Sequence, residues 1–298
     1  MAPEEKAADL FEEIVDSVEA INGSHPGMRR IHAKGVVCEG SFLPTIEAAS
    51  LCRARHFQSP SPALVRFSTA SGNPRTSDAN PLAGRGMAVK LRPPGGEEPD
   101  IVSVPLPVFM VRTPEDFLAF TRARIPDPET GQPDPEVLGG FIAEHPETAR
   151  ALQLGLPAIA PPTSYATSTY NALHAFRLVG SDGEGRWGRY EWQPAAGVET
   201  LSEEEREAAD RDYLQHEIRE RLAAGPVRFR LDFRLAADGD PLDDPTEPWE
   251  GEREVVSLGE LEVTGAIEDP ETPDAPLVFD PMRLADGIEP SDDPSLHA

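Results

Sequence analysis

The chain has 298 residues, enough to bury a sizeable core as one large domain or two small ones, and no segment repeats in the manner of a solenoid or propeller. Its 53 acidic against 27 basic side chains leave a formal net charge of −26, which repels phosphate backbones and anionic head groups and disfavours nucleic-acid and membrane partners. Lys6, Lys34 and Lys90 are the only lysines, so nearly all positive charge is guanidinium, suited to bidentate carboxylate contacts.

The first residues, MAPEEKAADLFEEIVDSVEAI, are acidic where an export signal needs positive charge, and no stretch approaches the ~20 apolar residues of a membrane span. Two cysteines, Cys38 and Cys52, suit neither a disulfide framework nor a zinc site, and a reducing, cytoplasmic setting is expected. Leu10, Phe11, Ile14, Val15, Val18 and Ile21 recur at helical spacing and stop at Asn22-Gly23, which predicts a helical segment within residues 1–27. Short apolar, β-branched runs then predict strands over Met28–Phe42, Ala63–Thr69, Met87–Leu91 and Ile101–Val111.

Thr113-Pro114-Glu115-Asp116 carries the N-cap, first-turn proline and acidic residues of a helix start. Pro135–Leu154 also reads as helical, with breaks near Gly139-Gly140 and Pro146, and LPAIAPPTS behind it reads as a loop. Tyr170–Val179 and Arg186–Trp192 flank the turn-rich SDGEG as a hairpin. Ser202 and Glu205 form a capping box ahead of one long helix to about Ala224, striped by Leu214, Ile218 and Leu222. Strands Val227–Leu235 and Val255–Ile267 complete an α+β pattern of antiparallel strands, for which a closed barrel removes exposed edges.

No phosphate-binding loop, zinc-protease helix or nucleophile elbow is present. His32, in RRIHAKGVV, sits on a predicted strand among Arg29 and Lys34, and periodicity alone favours a structural histidine there. His174, in NALHAFRLV, is placed on a strand beside Leu173 and Ala175 and reads equally well as a core histidine. His25, His56, His145, His216 and His297 fall in loop-like or helical surface contexts and receive no role.

The longer words add up. RRIHAKG, VRFSTASGNPRTSDANPLAGRGMAVKL, DIVSVPLPVFMVRTPEDF, HAFRLVGSDGEGRWGRYEW and FDPMRLADGIEPSDDP stand in the order found in haem catalases, and from Met28 onward the chain resembles their shortened branch, the catalase-related peroxidases. The resemblance implies a catalase-type antiparallel β-barrel over 28–298 with flanking and inserted helices. It implies haem b, with its iron, as cofactor, and reduction of hydrogen peroxide or organic hydroperoxides by a small organic electron donor. His32 would be the distal acid and base, Ser68 would orient it, and Arg29 and Arg66 would hold the haem propionates. Pro105 stands where the family has a distal asparagine and has no side-chain donor, which favours a peroxidase over a disproportionating catalase. Phe117 is expected near the haem plane.

On the proximal side, His174 and Asp293 match residues beside the arginine of the family's RxxxY motif. Counted along the same match, that arginine would be the first residue after Ala298 and the ligand tyrosine the fifth, so the domain is expected to end before its haem-ligand helix and to contribute no metal ligand. Association into a homo-oligomer is common in the resembled family. A haem-free or weakly haem-binding relative, and an isomerase of fatty-acid hydroperoxides, are the alternative outcomes of the same words.

Overall fold

The computed structural model describes residues 3–268 and 276–297; Ala298, and the motif expected beyond it, lie outside them. Helix α1 (Pro3–Asn22) packs on α3 (Pro114–Ala123), and Thr113 caps α3 by accepting the Asp116 amide, as its sequence predicts. Strands β1 (Lys34–Pro44), β2 (Ser61–Thr69), β3 (Arg85–Leu91) and β4 (Asp100–Ser103) come from the first third of the chain, with the short α2 (Ile46–Leu51) after β1. Helices α4 (Pro135–Glu144) and α5 (Pro146–Ala158) lead into β5 (Tyr170–Asn171), β6 (Phe176–Val179) and β7 (Gly185–Pro194). Then come α6 (Glu203–Ala208), α7 (Tyr213–Ala224), β8 (Val227–Leu235), β9 (Val255–Ile267) and β10 (Ile288–Pro290).

The strands form one antiparallel sheet in the order β10-β6-β7-β8-β9-β1-β2-β3-β4, with β5 also paired to β7. Just past β4, Val104 and Asn171 exchange two backbone hydrogen bonds of 3.0 and 2.7 Å. Since Asn171 also pairs with Glu191 of β7, the ladder runs back into itself and the sheet is the barrel that the sequence predicted.

Strand periodicity separates two faces. Val65 and Phe67 of β2, Met87 and Val89 of β3, Trp192 of β7, and Phe229, Leu231 and Phe233 of β8 point inward and are fully buried. Arg66 and Ser68 of β2, and Gly86, Ala88 and Lys90 of β3, occupy the alternate positions on the outer face. On β8 and β9 that outer face is charged, with Arg228 donating to Glu262 at 2.9 Å. The stripe Leu214, Ile218 and Leu222 of α7 is buried in the same core as the barrel interior.

Several boundaries differ from the sequence reading. Residues 28–33 are bends and irregular backbone rather than strand, so His32 precedes β1. β4 stops at Ser103, because Pro105 and Pro107 lack the amide hydrogens a ladder needs. The 135–158 region breaks only at His145–Pro146: Gly139 and Gly140 stay helical, and Leu156-Pro157-Ala158 continue α5. Tyr170–Val179 divides into β5 and β6, leaving His174 in the irregular connection. The long charged helix is two helices, because the Asp210 carboxylate accepts the Asp212 amide at 2.9 Å and turns the chain between them.

Asp78, wholly buried, ties these parts together. Its carboxylate accepts the Thr69 hydroxyl at 2.7 Å and the Leu214 amide at 3.2 Å, and pairs with Lys34 Nζ at 2.9 Å. Lys34 also meets Asp212 at 2.8 Å, so the start of β1, the end of β2 and the first turn of α7 share one buried charge cluster. Removing one partner of such a cluster leaves a buried charge poorly compensated. Asp78→Ala should therefore lower unfolding free energy by about 3 kcal/mol, read as a lower urea midpoint at unchanged slope.

Candidate functional site

His32 has φ 55, the only positive value at a non-glycine position among the described residues. Such a backbone costs of order 1–3 kcal/mol and persists only where its surroundings over-determine it. Here Arg66 Nη2 donates to the His32 carbonyl at 2.9 Å, and the next amide, Ala33, donates to Ser71 O at 2.9 Å. The turn lays the imidazole against the outer face of the barrel, where Nδ1 lies 2.9 Å from Ser68 Oγ. Ser68 thereby engages one ring nitrogen and leaves Nε2 as the other.

The close approach requires a missing side chain. A Cβ on Gly86 would lie 2.8 Å from His32 Cε1 and 3.0 Å from Ser68 Oγ. Across β1 the same holds for Gly35, where a Cβ would come within 2.8 Å of Arg66 Cζ. Arg66, Ala88 and Val102 lie abreast on β2, β3 and β4, with Ser68 opposite Gly86 in the next row. These small residues make the floor of a cleft of about 220 Å³, with Arg29, Ile31, His32, Val104 and Phe279 around it.

The cleft is positively charged around its histidine. Burial, then the guanidinium of Arg66, then that of Arg29 depress the His32 pKa from 6.5 to about 4. The imidazole is therefore neutral near pH 7 and free to accept a proton. Arg29 Nη2 donates to Leu277 O at 2.8 Å, which fixes that guanidinium at the rim.

The remaining sequence-predicted site residues form a second cluster. His174 Nδ1 lies 2.7 Å from Asp293 Oδ2, although 119 positions separate them. Asp293 is 1% exposed; burial works against its ionisation, but hydrogen bonds and charge from His174, with those from Ser295, outweigh it and hold its pKa below the usual value. Phe117 stacks on Phe109 with centroids 5.9 Å apart, and Phe109 lies 6.4 Å from the His174 ring. None of these four lines the His32 cleft, and Val102 is the wall shared between the cleft and the small cavity at His174.

The structure thus brings His32, Ser68, Arg29 and Arg66 together in one place, and His174, Asp293 and Phe117 in another. Sequence reasoning missed the floor residues Gly86 and Ala88, for which the available signal was the two-residue alternation in RGMAVKL, and the neighbouring Val102 and Val104. It also misplaced His56, which is 1% exposed rather than on the surface. None of the four tyrosines lines the His32 cleft: Tyr165, Tyr170 and Tyr190 are in the core, and the Tyr213 hydroxyl donates to Pro162 O at 2.6 Å. Among the described residues no group of three or more His, Cys, Asp or Glu could hold a metal ion.

A cradle of glycine and alanine beneath an imidazole, with two guanidiniums at its side, suits a flat ligand that carries carboxylates. The donor set is that of one side of such a ligand only. Comparison with known proteins points the same way. The family model described as Catalase matches residues 12–298. The chain is 39% identical over 286 residues to a catalase-related peroxidase of Mycolicibacterium paratuberculosis, covering 96% of this chain and 90% of that protein. It is 35% identical over 288 residues to a catalase-related peroxidase of Synechococcus elongatus, covering 96% and 84%. A fungal catalase structure superposes with a TM-score of 0.80 at 23% identity, over 92% of this chain and 57% of the fungal chain, so that likeness concerns the fold.

Two outcomes follow for His32. Because its folded pKa lies below 6.5, the unfolded chain binds a proton there that the folded chain does not between pH 6.5 and about 4. Stability therefore rises with pH through that window and is lost as pH falls through it, and His32→Gln should flatten the curve by at most about 1.4 kcal/mol per pH unit. Gly86→Ala should push the ring away from Ser68 and raise the His32 pKa toward 6.5, measured by NMR titration of the imidazole protons.

Proposed function

The chain belongs to the catalase family, and on that premise we propose that it is a haem-dependent peroxidase that reduces hydrogen peroxide or an organic hydroperoxide at the expense of a small organic donor. The single observation that carries the proposal is the His32–Ser68 contact of 2.9 Å in a cleft floored by Gly86 and Ala88 and flanked by Arg29 and Arg66. Kinship to catalase-related peroxidases over nearly the whole chain supports an oxidoreductase rather than a binding protein.

In this reading haem b lies in the cleft, and its iron, when bound, supplies the redox chemistry. Arg29 and Arg66 would hold the propionates by charge-assisted pairing of guanidinium with carboxylate. His32 takes the proton from the incoming peroxide oxygen and returns it to the departing one as the O–O bond breaks. Its low pKa keeps it neutral, as a proton acceptor must be at the start of the cycle. Ser68 acts by positioning, holding Nδ1 so that Nε2 is the nitrogen that moves the proton. Over one turnover the hydroperoxide takes up two electrons and two protons from the donor and leaves as an alcohol, or water, plus water.

Pro105 favours donor oxidation over disproportionation. It lines a separate groove, and Val102 and Val104 on the near side of that strand add only apolar surface to the cleft. His174 and Asp293 are assigned to the proximal side, where Asp293 sets the orientation and tautomer of His174, and Phe117 to the neighbourhood of the haem plane. The alternative reading is a relative that binds haem weakly or not at all. Among the described residues no helix is long and apolar enough to cross a membrane. A cytoplasmic enzyme, associated as a homo-oligomer and without nucleic-acid or membrane partners, completes the proposal.

Titration with haem, followed by absorption, decides between the two readings. Saturation near one equivalent, weakened when Arg66 is replaced by Leu, is the expected result, and a flat titration selects the haem-free reading. In the loaded protein His32→Ala should slow the reaction with peroxide by roughly 10²-fold, measured by stopped flow. An unchanged rate removes His32 from the proton transfer.

A further inference from the structure

The outer face of the barrel continues past the cleft floor. One outward position beyond Ala88 and Val102, Lys90 of β3 stands opposite Asp100 of β4, and Lys90 Nζ donates to Asp100 Oδ1 at 2.6 Å. Lys90 is 4% and Asp100 5% exposed, and Leu64, abreast of them on β2, is 4% exposed, although all of them sit on the face turned away from the barrel core. Segment 277–283 covers them. Leu277 and Phe279 share one apolar cluster with Leu64 and Val37, and the Lys90 ammonium lies 5.4 Å from the Phe279 ring centroid, within cation–π reach.

Asp100 holds that segment from beneath. Its Oδ2 accepts the Asp280 amide at 2.9 Å and Arg283 Nη1 at 3.0 Å, and its own amide donates to the Arg283 carbonyl at 3.0 Å. Arg283 Nη1 also donates to the Val278 carbonyl at 2.9 Å. Phe279, next to the pinned Asp280 amide, lines the His32 cleft, and the Leu277 carbonyl accepts the Arg29 guanidinium. Neither Lys90 nor Asp100 lines the cleft, so whatever they do there passes through this segment. An ion pair this buried is seldom worth more to stability than an apolar pair of similar volume, but its charge-assisted bonds are directional. We propose that Lys90 and Asp100 are a positioning pair that pins segment 277–283 across the barrel, walling the cleft with Phe279 and holding Arg29 at its rim. On the haem reading above, on which this part rests, the pair sets how long the cleft retains haem.

Two measurements test the pair, one of them without haem. In the haem-free full chain, the double variant Lys90→Met, Asp100→Leu should keep its melting temperature, while amide hydrogen exchange over 277–283 speeds up by about 10-fold or more. A pair that served stability alone would instead lower the melting temperature and raise exchange across the barrel strands alike, which overturns the proposal. Arg283→Met, which removes only the half-exposed arm of the network, should speed the same exchange by roughly 3-fold and serves if the double variant does not fold. In the loaded protein these variants, and Phe279→Ala, should pass haem to an excess of an acceptor protein several-fold faster than the unaltered chain. Unchanged exchange over 277–283 overturns the pin whatever haem does, and faster exchange with unchanged haem release overturns its role in retention. Where the unaltered chain takes up no haem, the haem reading fails and exchange alone decides whether the pair positions the segment.

Discussion

The closure of the sheet at Val104 and Asn171 is the constraint on which the rest depends. β5 is only two residues long, yet it pairs with β7 on one side and with the residue after β4 on the other. The Asn171 side chain also donates to the carbonyls of Pro105 and Leu106 at 3.2 and 3.1 Å, where proline has ended the strand. Without this clasp β4 would be an open edge, and open edges pair with other chains. With it, every barrel strand has an inside and an outside.

The site exploits that division. The interior is filled by large side chains such as Trp192, Phe67 and Phe233. The outer face of β2, β3 and β4 is the opposite, small and flat at Gly86 and Ala88, and the cleft forms where the fold has removed side chains rather than where it has left a hole. His32 is held over that floor by a strained backbone, and the strain is offset nearby. Two residues on, Lys34 enters the Asp78 cluster, which anchors the start of β1 to α7.

How much could be read from the chain alone differs from residue to residue. His32, Ser68, Arg29 and Arg66 are separated by up to 39 positions and meet within one cleft because their motifs place them on adjoining elements. His174 and Asp293, assigned by motif to one neighbourhood, prove to be in direct contact. The local structure around these residues was less legible. A run such as RRIHAKG alternates plausibly enough for a strand, but the His32 carbonyl is claimed by Arg66 and the Ala33 amide by Ser71, so the segment turns instead. His56 looked like a surface histidine because its neighbours Arg55 and Gln58 are polar, while packing against Phe57 and the barrel end buries it.

What the sequence determined by itself is the alternation of the strands, the caps of the helices, the acidic surface and the identity of the chemically capable side chains. All of these follow from interactions over a few residues, or from words long enough to be specific. What only the tertiary structure decided is where the alternation stops, which glycines are empty because a ring must pass, and which polar groups share a cavity. Those depend on pairings between positions tens to hundreds of residues apart, and no local pattern records which partner will claim a given amide, carbonyl or imidazole.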